Sequence, residues 1–251
     1  MTSDQLDVSE LSREELMAFA LDTFRRTIAH YGMWLREVEY QLGMERAEEV
    51  EQAVFPSSLA IQMKRLSKIF GFELDENGLP KKFGELSKEQ LLELAQAQSI
   101  NWLANDGVWF QAVEKQYGMD YAKRVNDSCW THYSPYEAAR IKRLLNLSAR
   151  PGLAGLKKAL ALRTYAMVNE QSIEDDGENA FIFRMNKCRV QDARKRKGLP
   201  DYPCHSVGNV EYPYFARAID SRIETKCVGC PPDAHPEEWY CAWRFVLKEE
   251  D

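Results

Sequence analysis

The sequence lacks a long hydrophobic run: its longest uninterrupted apolar stretch, 16–21, has about six residues against the ~20 that a membrane-spanning helix needs. The first ten residues lack the basic and then apolar start of a secretory signal, so we expect a cytoplasmic protein with reduced thiols. A glycine-rich phosphate loop, a dinucleotide-binding fingerprint and a His-Glu-x-x-His segment are also missing, which argues against nucleotide-driven chemistry and zinc proteolysis. With 33 Lys and Arg against 39 Asp and Glu, the net charge of −6 disfavours nucleic acid and anionic membranes as partners.

The size of the chain makes stabilising cross-links unnecessary. It has 251 residues, 45% of them hydrophobic, enough for one large domain or two modest ones. A chain of this size buries roughly 70–75% of its unfolded surface on folding, so it needs neither disulfides nor metals for stability. Its 6 cysteines therefore require another explanation.

The N-terminal half contains an internal repeat, in which residues 11–72 match residues 86–147 without a gap. The pattern Gly-x-Trp-x-x-x-Val-Glu-x-x-x-Gly-Met occurs in both copies, from Gly32 and from Gly107. One copy cannot bury its apolar stripe alone, so we expect the two copies to pack about a pseudo-two-fold axis.

Helix start and stop signals recur at matching places in the two copies. Capping boxes at Ser12 and Ser87 predict helix starts, because the hydroxyl accepts a hydrogen bond from an otherwise unpaired backbone N–H. Gly43 and Gly118 stand where a helix would close with a positive-φ residue.

Each copy is predicted to contain three helices. Pro56 is expected to separate the second helix from the third in the first copy, and a further capping box is read at 134–137. Strand signals are absent from this half, so residues 1–150 are predicted to form an all-α domain.

The tryptophan, glutamate and arginine that both copies share allow two interpretations. They could line a ligand-binding cleft at the repeat interface. Alternatively, the tryptophans face the core and the charged residues form interhelical ion pairs, a pattern that packing alone requires and that we favour. The six residues are Trp34, Glu39, Arg65, Trp109, Glu114 and Arg140.

After residue 150 the pattern changes to alternating, aromatic-rich segments, so residues 151–251 are predicted to form an α+β module with antiparallel strands. An Asp-Asp-Gly sequence at 175–177 predicts a hairpin turn. The predicted helices are 153–165, 188–197 and 204–219, and the predicted strands are 164–174, 179–187, 221–228 and 238–248.

Five cysteines cluster in this module: Cys188, Cys204, Cys227, Cys230 and Cys241. Cys227 and Cys230 stand three residues apart with a glycine between them, the spacing of a zinc knuckle. Cys241 is expected across a hairpin from this pair and Cys204 at the start of a helix, which completes a four-thiolate site. In a reducing compartment this pattern favours zinc over disulfides.

Other roles for these thiols stay open. They could be buried as small apolar side chains, or they could carry redox chemistry. An iron–sulfur cluster on the same thiolates is a further alternative, because Pro231 follows Cys230 as in some ferredoxin-type ligands.

Cys188 is the cysteine that the four-thiolate site leaves over. It precedes Arg189 at a predicted helix start, and both features lower a thiol pKa, so Cys188 could act as a nucleophile with His205 or Asp220 assisting. In the structural alternative, Cys188 packs at a strand end or replaces Cys204 as a ligand.

Several charged residues of the module are candidate ligand contacts. Arg189 is one, and Asp220 with Arg222 could face a substrate carboxylate. The basic run 194–197 is more simply explained by the negative end of the helix dipole than by nucleic acid.

The run that begins MNKCRVQDARKRKGLPDYPC, residues 185–245, together with residues 101–122, resembles an uncharacterised family of cytosolic proteins. The C-terminal cysteine pattern is more distantly similar to the L-2-amino-thiazoline-4-carboxylic acid hydrolase-like family and to the 4-vinyl reductase domain, a small-molecule-binding α/β module. The second resemblance implies a zinc held by a widely spaced first ligand, a close pair and a last ligand on the final hairpin. That order corresponds to Cys204, Cys227, Cys230 and Cys241.

We therefore expect a zinc-containing protein whose C-terminal module binds a small apolar or carboxylated molecule, with the helical repeats forming a homodimer contact or a lid. The alternative is a cysteine-dependent hydrolase of a cyclic amide or thiazoline-carboxylate-like substrate, which the first resemblance implies.

Overall fold

The computed structural model describes residues 7–248. It divides into two compact units, the first ending at Gly84 and the second beginning at Glu85. The described residues form seven α-helices and a four-stranded antiparallel sheet near the C-terminus, which confirms the predicted α+β class. Residue 150, where a change of module is predicted, lies in the second unit between its second and third helices.

The described helices include none that is both long enough and apolar enough to span a bilayer. Residues 1–6, part of the stretch on which the expectation about secretion rests, lie outside the described residues.

The first unit is a helical hairpin in which α1 spans Arg13–Leu42 and α2 spans Met44–Phe70. α1 begins with the predicted capping box, since the Ser12 hydroxyl accepts from the backbone of Glu15 and the Glu15 carboxylate accepts from that of Ser12. Gly43 joins the two helices at a φ of 86°, a conformation that favours glycine. Two 3-10 turns flank the hairpin, at Val8–Glu10 and Lys81–Glu85.

The first unit has almost no core of its own. Among its described residues only Ala47 and Glu51 are buried. Large apolar side chains along both helices are instead exposed, as at Ile28, Trp34 and Ile61. This agrees with the expectation that one repeat cannot bury its apolar stripe alone.

The second unit opens with a matching hairpin, in which α3 spans Lys88–Tyr117 and α4 spans Met119–Leu144. Ser87 forms the second predicted capping box, and Gly118 joins the helices at a φ of 87°. α1 and α3 both contain 30 residues, so the sequence repeat is also a structural one.

The prediction of three helices per copy is wrong, because each copy forms two long helices. Pro56 lies inside α2, and the predicted cap at Ser134 lies inside α4 beside Pro135. Proline in a helix interior costs ~3 kcal/mol. In α4 packing on both sides of Pro135 offsets this cost, since Trp130 before it and Ala138 and Ile141 after it are buried.

The sheet follows α5, which spans Gly152–Leu160. Residues 164–169 are predicted as strand, but Thr164–Met167 form a 3-10 turn. The reason is a tertiary contact: the Thr164 backbone N–H and hydroxyl donate to the Glu137 carboxylate of α4 at 3.0 and 2.9 Å, which holds this segment on the helix.

The four strands lie in the order β1-β2-β4-β3, with all neighbours antiparallel. The predicted turn at 175–177 joins β1 to β2, and the predicted hairpin of the last two strands is also present. The strands are β1 (Glu170–Asp175), β2 (Ala180–Lys187), β3 (Ile223–Gly229) and β4 (Cys241–Leu247). Two helices separate β2 from β3, α6 (Arg189–Arg196) and α7 (His205–Ile219).

The core of the second unit lies between α7 and one face of the sheet. Tyr212 of α7 stacks on Trp243 of β4 with ring centroids 4.8 Å apart. A Cβ atom on Gly208 would lie 2.3 Å from the Trp243 ring, so this close approach requires glycine. The largest fully buried side chains of this core include Phe181, Phe183, Phe215 and Phe245.

A buried ion network connects three parts of the second unit. Arg163, which follows α5, donates to Glu137 of α4 at 2.8 Å and pairs with Glu211 of α7 at 2.7 Å. Burial opposes the charge of Arg163, but the two carboxylates outweigh it and raise the pKa of the guanidinium. The guanidinium also lies 4.6 Å from the centre of the Phe215 ring. One buried side chain therefore links α4 of the helical hairpin to α7, which packs on the sheet.

Replacing Arg163 with methionine should lower the free energy of unfolding by ~3–5 kcal/mol, because two carboxylates would stay buried without a counter-charge. Urea denaturation followed by circular dichroism measures this. Arg244→Met is the matched control, since Arg244 pairs with Asp176 at the surface and its loss should cost about 1 kcal/mol or less. Equal losses for the two variants would contradict the role assigned to Arg163.

Candidate functional site

The second unit encloses a cavity of about 540 Å³. Its wall is built from α3, α4, α6 and α7, with contributions from the ends of β2 and β4. The aromatic part of the wall consists of Phe110, Trp130, Tyr165, Tyr202 and Tyr212. A cavity of this size with a mainly apolar lining is suited to a small molecule.

Four of the clustered cysteines line this cavity: Cys188, Cys204, Cys230 and Cys241. Three of them lie close together, because Cys204 and Cys241 pack against the core that contains Cys230. The side chains of Cys204 and Cys241, together with burial, raise the pKa of the Cys230 thiol. One wall of the cavity thus brings together residues from three elements: the start of α7, the end of β3 and the start of β4.

Local structure positions each of the three thiols. Cys204 caps the N-terminus of α7, and the Gln191 side-chain amide donates to its sulfur at 3.1 Å. Cys230 directly follows β3, and Cys241 is the first residue of β4, opposite Met185 of β2. Because the three positions lie on different elements, only the tertiary fold brings them together.

Cys227 lies beside this group but is not among the residues that line the cavity. Burial and the nearby Cys241 and Asp233 side chains raise the pKa of the Cys227 thiol. Its strand is irregular after this point, since the pairing with β4 shifts between Cys227 and Gly229. The predicted zinc knuckle therefore falls on a bulged strand end.

The thiols suit a soft divalent ion by their chemistry, but their present arrangement is not a coordination site. Within residues 7–248, no group of three or more His, Cys, Asp or Glu side chains is placed so that it could hold a metal. The raised pKa values of Cys227 and Cys230 favour the protonated thiols in this arrangement. Metal binding would require loss of these protons and rotation of the side chains.

Cys188, the predicted nucleophile, caps the N-terminus of α6 and lines the cavity. Burial raises the pKa of its thiol to about 12. The predicted lowering of this pKa is wrong, since desolvation outweighs the helix start and the neighbouring Arg189, which is exposed.

His205 and Asp220, the predicted assisting residues, take part in other contacts. The His205 ring lies 3.0 Å from the Asp233 carboxylate, and neither His205 nor Asp220 is among the residues that line the cavity. Asp220 ends α7 and accepts from the Arg222 guanidinium at 2.8 Å and from the Gly152 backbone at 2.9 Å. These bonds fix α7 to the start of α5.

The remaining candidate ligand contacts are dispersed. Glu114 and Arg189 line the cavity, whereas Arg222 is engaged with Asp220. Trp109 is 69% exposed on α3, and Arg140 is half-buried on α4. In the first unit, Trp34 lines a groove of about 610 Å³ between α1 and α2.

Sequence reasoning missed several residues that build the cavity. Asp106 and Asn169 line it, and Tyr202 fixes one side by accepting from Lys123 and Asn126 at 3.0 and 3.1 Å. No local pattern marks these residues, because their neighbours in space are distant in the chain.

A protein-family model described as "Family of unknown function (DUF6125)" matches residues 9–83 and 81–247. The chain belongs to this family. The two matched ranges meet at 81–83, close to the boundary between the compact units.

Other comparisons add little to the DUF6125 assignment. No curated protein matches the chain. Among solved structures, the phenol-responsive sensory domain of the transcription activator PoxR, determined with phenol, aligns with 15% sequence identity and a TM-score of 0.39 over 57% of this chain and 73% of that one. A likeness this distant carries no conclusion about this chain. The expected resemblances to the hydrolase-like and vinyl reductase families find no support.

Asp220 should contribute stability that depends on pH. The Arg222 side chain is the main cause that lowers the Asp220 pKa to about 2. Because the pKa is lower in the folded state than in the unfolded chain, the contribution of ~2 kcal/mol is present above about pH 4 and is lost as pH falls towards 2. The difference in unfolding free energy between the wild type and Asp220→Asn should therefore shrink by about half from pH 7 to pH 3. A difference that stays constant over this range would contradict the assignment.

Proposed function

We propose that the second unit binds a small, mainly apolar molecule in its cavity, beside a zinc ion held by the clustered thiols. One observation carries the proposal: Cys204, Cys230 and Cys241 line the same wall of an aromatic-lined cavity, with Cys230 next to the other two. A thiol cluster and a ligand-sized space therefore share one site.

The thiols are the residues that would hold the metal. Cys204, Cys230 and Cys241 supply three sulfurs, and Cys227 or Cys188 supplies the fourth. Zinc favours four sulfur ligands in a tetrahedron and would keep the thiols ionised when bound. The sulfurs would then link the start of α7 to the ends of β3 and β4, which stabilises this wall of the cavity.

The cavity wall supports a ligand with an apolar body. Trp130 and Tyr165 stack at 5.8 Å between ring centroids, and Phe110 meets Tyr202 edge-on at 5.1 Å. These rings pack against one another, so the wall is formed before any ligand enters. Preformed walls reduce the entropy lost on binding.

Two alternatives have weaker support. Cysteine-dependent hydrolysis needs a thiolate at Cys188, which burial opposes by raising its pKa. An iron–sulfur cluster would use the same sulfurs as zinc, but it would colour the protein brown, whereas zinc leaves it colourless. Pairing of two copies through the helical repeats also remains a proposal, supported by the nearly absent core of the first unit.

Metal content tests the first part of the proposal. Elemental analysis of the anaerobically purified full chain should give about one zinc per chain and a colourless solution. Cys230→Ser should abolish this content, because Cys230 lies next to two of the other cysteines, whereas Cys129→Ser, at an exposed cysteine of α4, should retain it. A folded preparation without any metal would refute the zinc site, and a brown one would favour the cluster.

Filling the cavity tests the second part. Ala193→Trp places an indole among the lining residues and should abolish binding of small aromatic compounds, seen as loss of their effect on the melting temperature. The exposed Ala161→Trp, at the end of α5, is the matched control and should bind normally. Equal binding by both variants would place the ligand outside this cavity.

A further inference from the structure

Asp106 is a carboxylate without a counter-charge on the wall of the cavity. It lies on α3, and burial alone raises the pKa of its side chain. Among residues 7–248, no hydrogen bond or ion pair is described for this carboxylate. Removing a charge from water without a partner is unfavourable, so the site gains free energy from any group that neutralises it.

The surroundings of Asp106 are aromatic. Tyr165 and Tyr202 line the same cavity as Asp106. The faces of such rings carry negative potential, so they attract cations as the carboxylate does.

The protein's own cations nearby are already engaged or solvated. Arg163 is bound by Glu137 and Glu211, and Lys123 pairs with Asp127 at 3.2 Å. Three basic residues at α6 also line the cavity: Arg189 and Lys197 are exposed, and the Arg194 guanidinium donates to the Pro200 carbonyl at 2.7 Å. Water screens the charge of the exposed cations more strongly than that of the partly buried carboxylate.

The packing of the repeated helical hairpin does not require a carboxylate at position 106. The position equivalent to Asp106 in the first copy is Tyr31, so the helical hairpin forms equally well with an aromatic residue there. A partly buried acid that the fold does not need is a candidate for ligand recognition.

Asn169 adds a donor on the same cavity wall. Its side-chain oxygen accepts from the Arg189 backbone at 2.8 Å, which fixes the orientation of the amide. The amide nitrogen is buried and has no hydrogen-bond partner. A ligand with an acceptor atom would satisfy it.

We propose that the cavity selects a compact organic cation, namely a protonated amine on an aromatic or aliphatic body, whose ammonium group is bound by Asp106 and whose acceptor atom is bound by the Asn169 amide. This inference rests on the proposed small-molecule function and names its ligand class. The rings around Asp106 hold the apolar body, and the carboxylate discriminates against neutral and anionic molecules of equal size.

Three probes of nearly equal shape test the charge preference: benzylamine, benzyl alcohol and benzoate. Binding to the full chain is followed by isothermal titration calorimetry at pH 7 and by thermal shift. Benzylamine should bind roughly tenfold or more tightly than the other two, because only its charge is neutralised by the carboxylate. Asp106→Asn should remove this preference while leaving the weak binding of benzyl alcohol unchanged.

The control is Glu93→Gln, which removes an exposed carboxylate from the same helix and should keep the preference. Equal or tighter binding of benzyl alcohol or benzoate to the wild type would overturn the cation inference but leave the small-molecule function intact. If none of the three probes binds to the wild type, and none of the aromatic compounds tested with the cavity-filling variant does either, both the inference and the proposed function are wrong.

Discussion

Arg163 lies between Glu137 and Glu211, and the second unit depends on this contact. Three buried charges are stable only while both carboxylates stay paired with the Arg163 guanidinium. The contact therefore fixes the distance between α4 and α7. The cavity lies between these helices and α3 and α6, with the aromatic wall beside the ion network. The start of α7, and with it Cys204, is positioned by the same constraint. The ion network therefore sets both the space for a ligand and the place of one thiol.

Local signals predicted the elements of the fold well. Capping residues at Ser12 and Ser87 gave the helix starts, and the aspartate-glycine turn gave the first hairpin. The errors arose where distant contacts outweigh local preference. The cap predicted at Ser134 lies inside α4, because buried residues continue past Pro135, and Thr164 leaves the predicted strand because a carboxylate of α4 binds it.

The candidate site was only partly accessible from sequence. Clustering of cysteines along the chain pointed to the C-terminal module, and Cys204, Cys230 and Cys241 do line one cavity wall. The sequence could not distinguish which cysteines line a cavity, since Cys188 does and Cys227 does not. Nor could it predict the effect of burial on the Cys188 pKa, because desolvation depends on the complete fold. Asp106 carries no local signal, and its significance appears only in its aromatic surroundings.

The account rests on the convergence of Cys204, Cys230 and Cys241 at one cavity wall, whether or not a metal is bound. Crosslinking of the metal-free, reduced full chain with dibromobimane tests this most directly, because the reagent fluoresces strongly only after both of its arms have reacted with neighbouring thiols. Peptide mapping of the fluorescent product should find crosslinks among these three cysteines and none to the exposed Cys129. The convergence of the three cysteines would be contradicted if the folded protein gave no fluorescent crosslink. A crosslink that joins Cys129 to the C-terminal cysteines would contradict it as well.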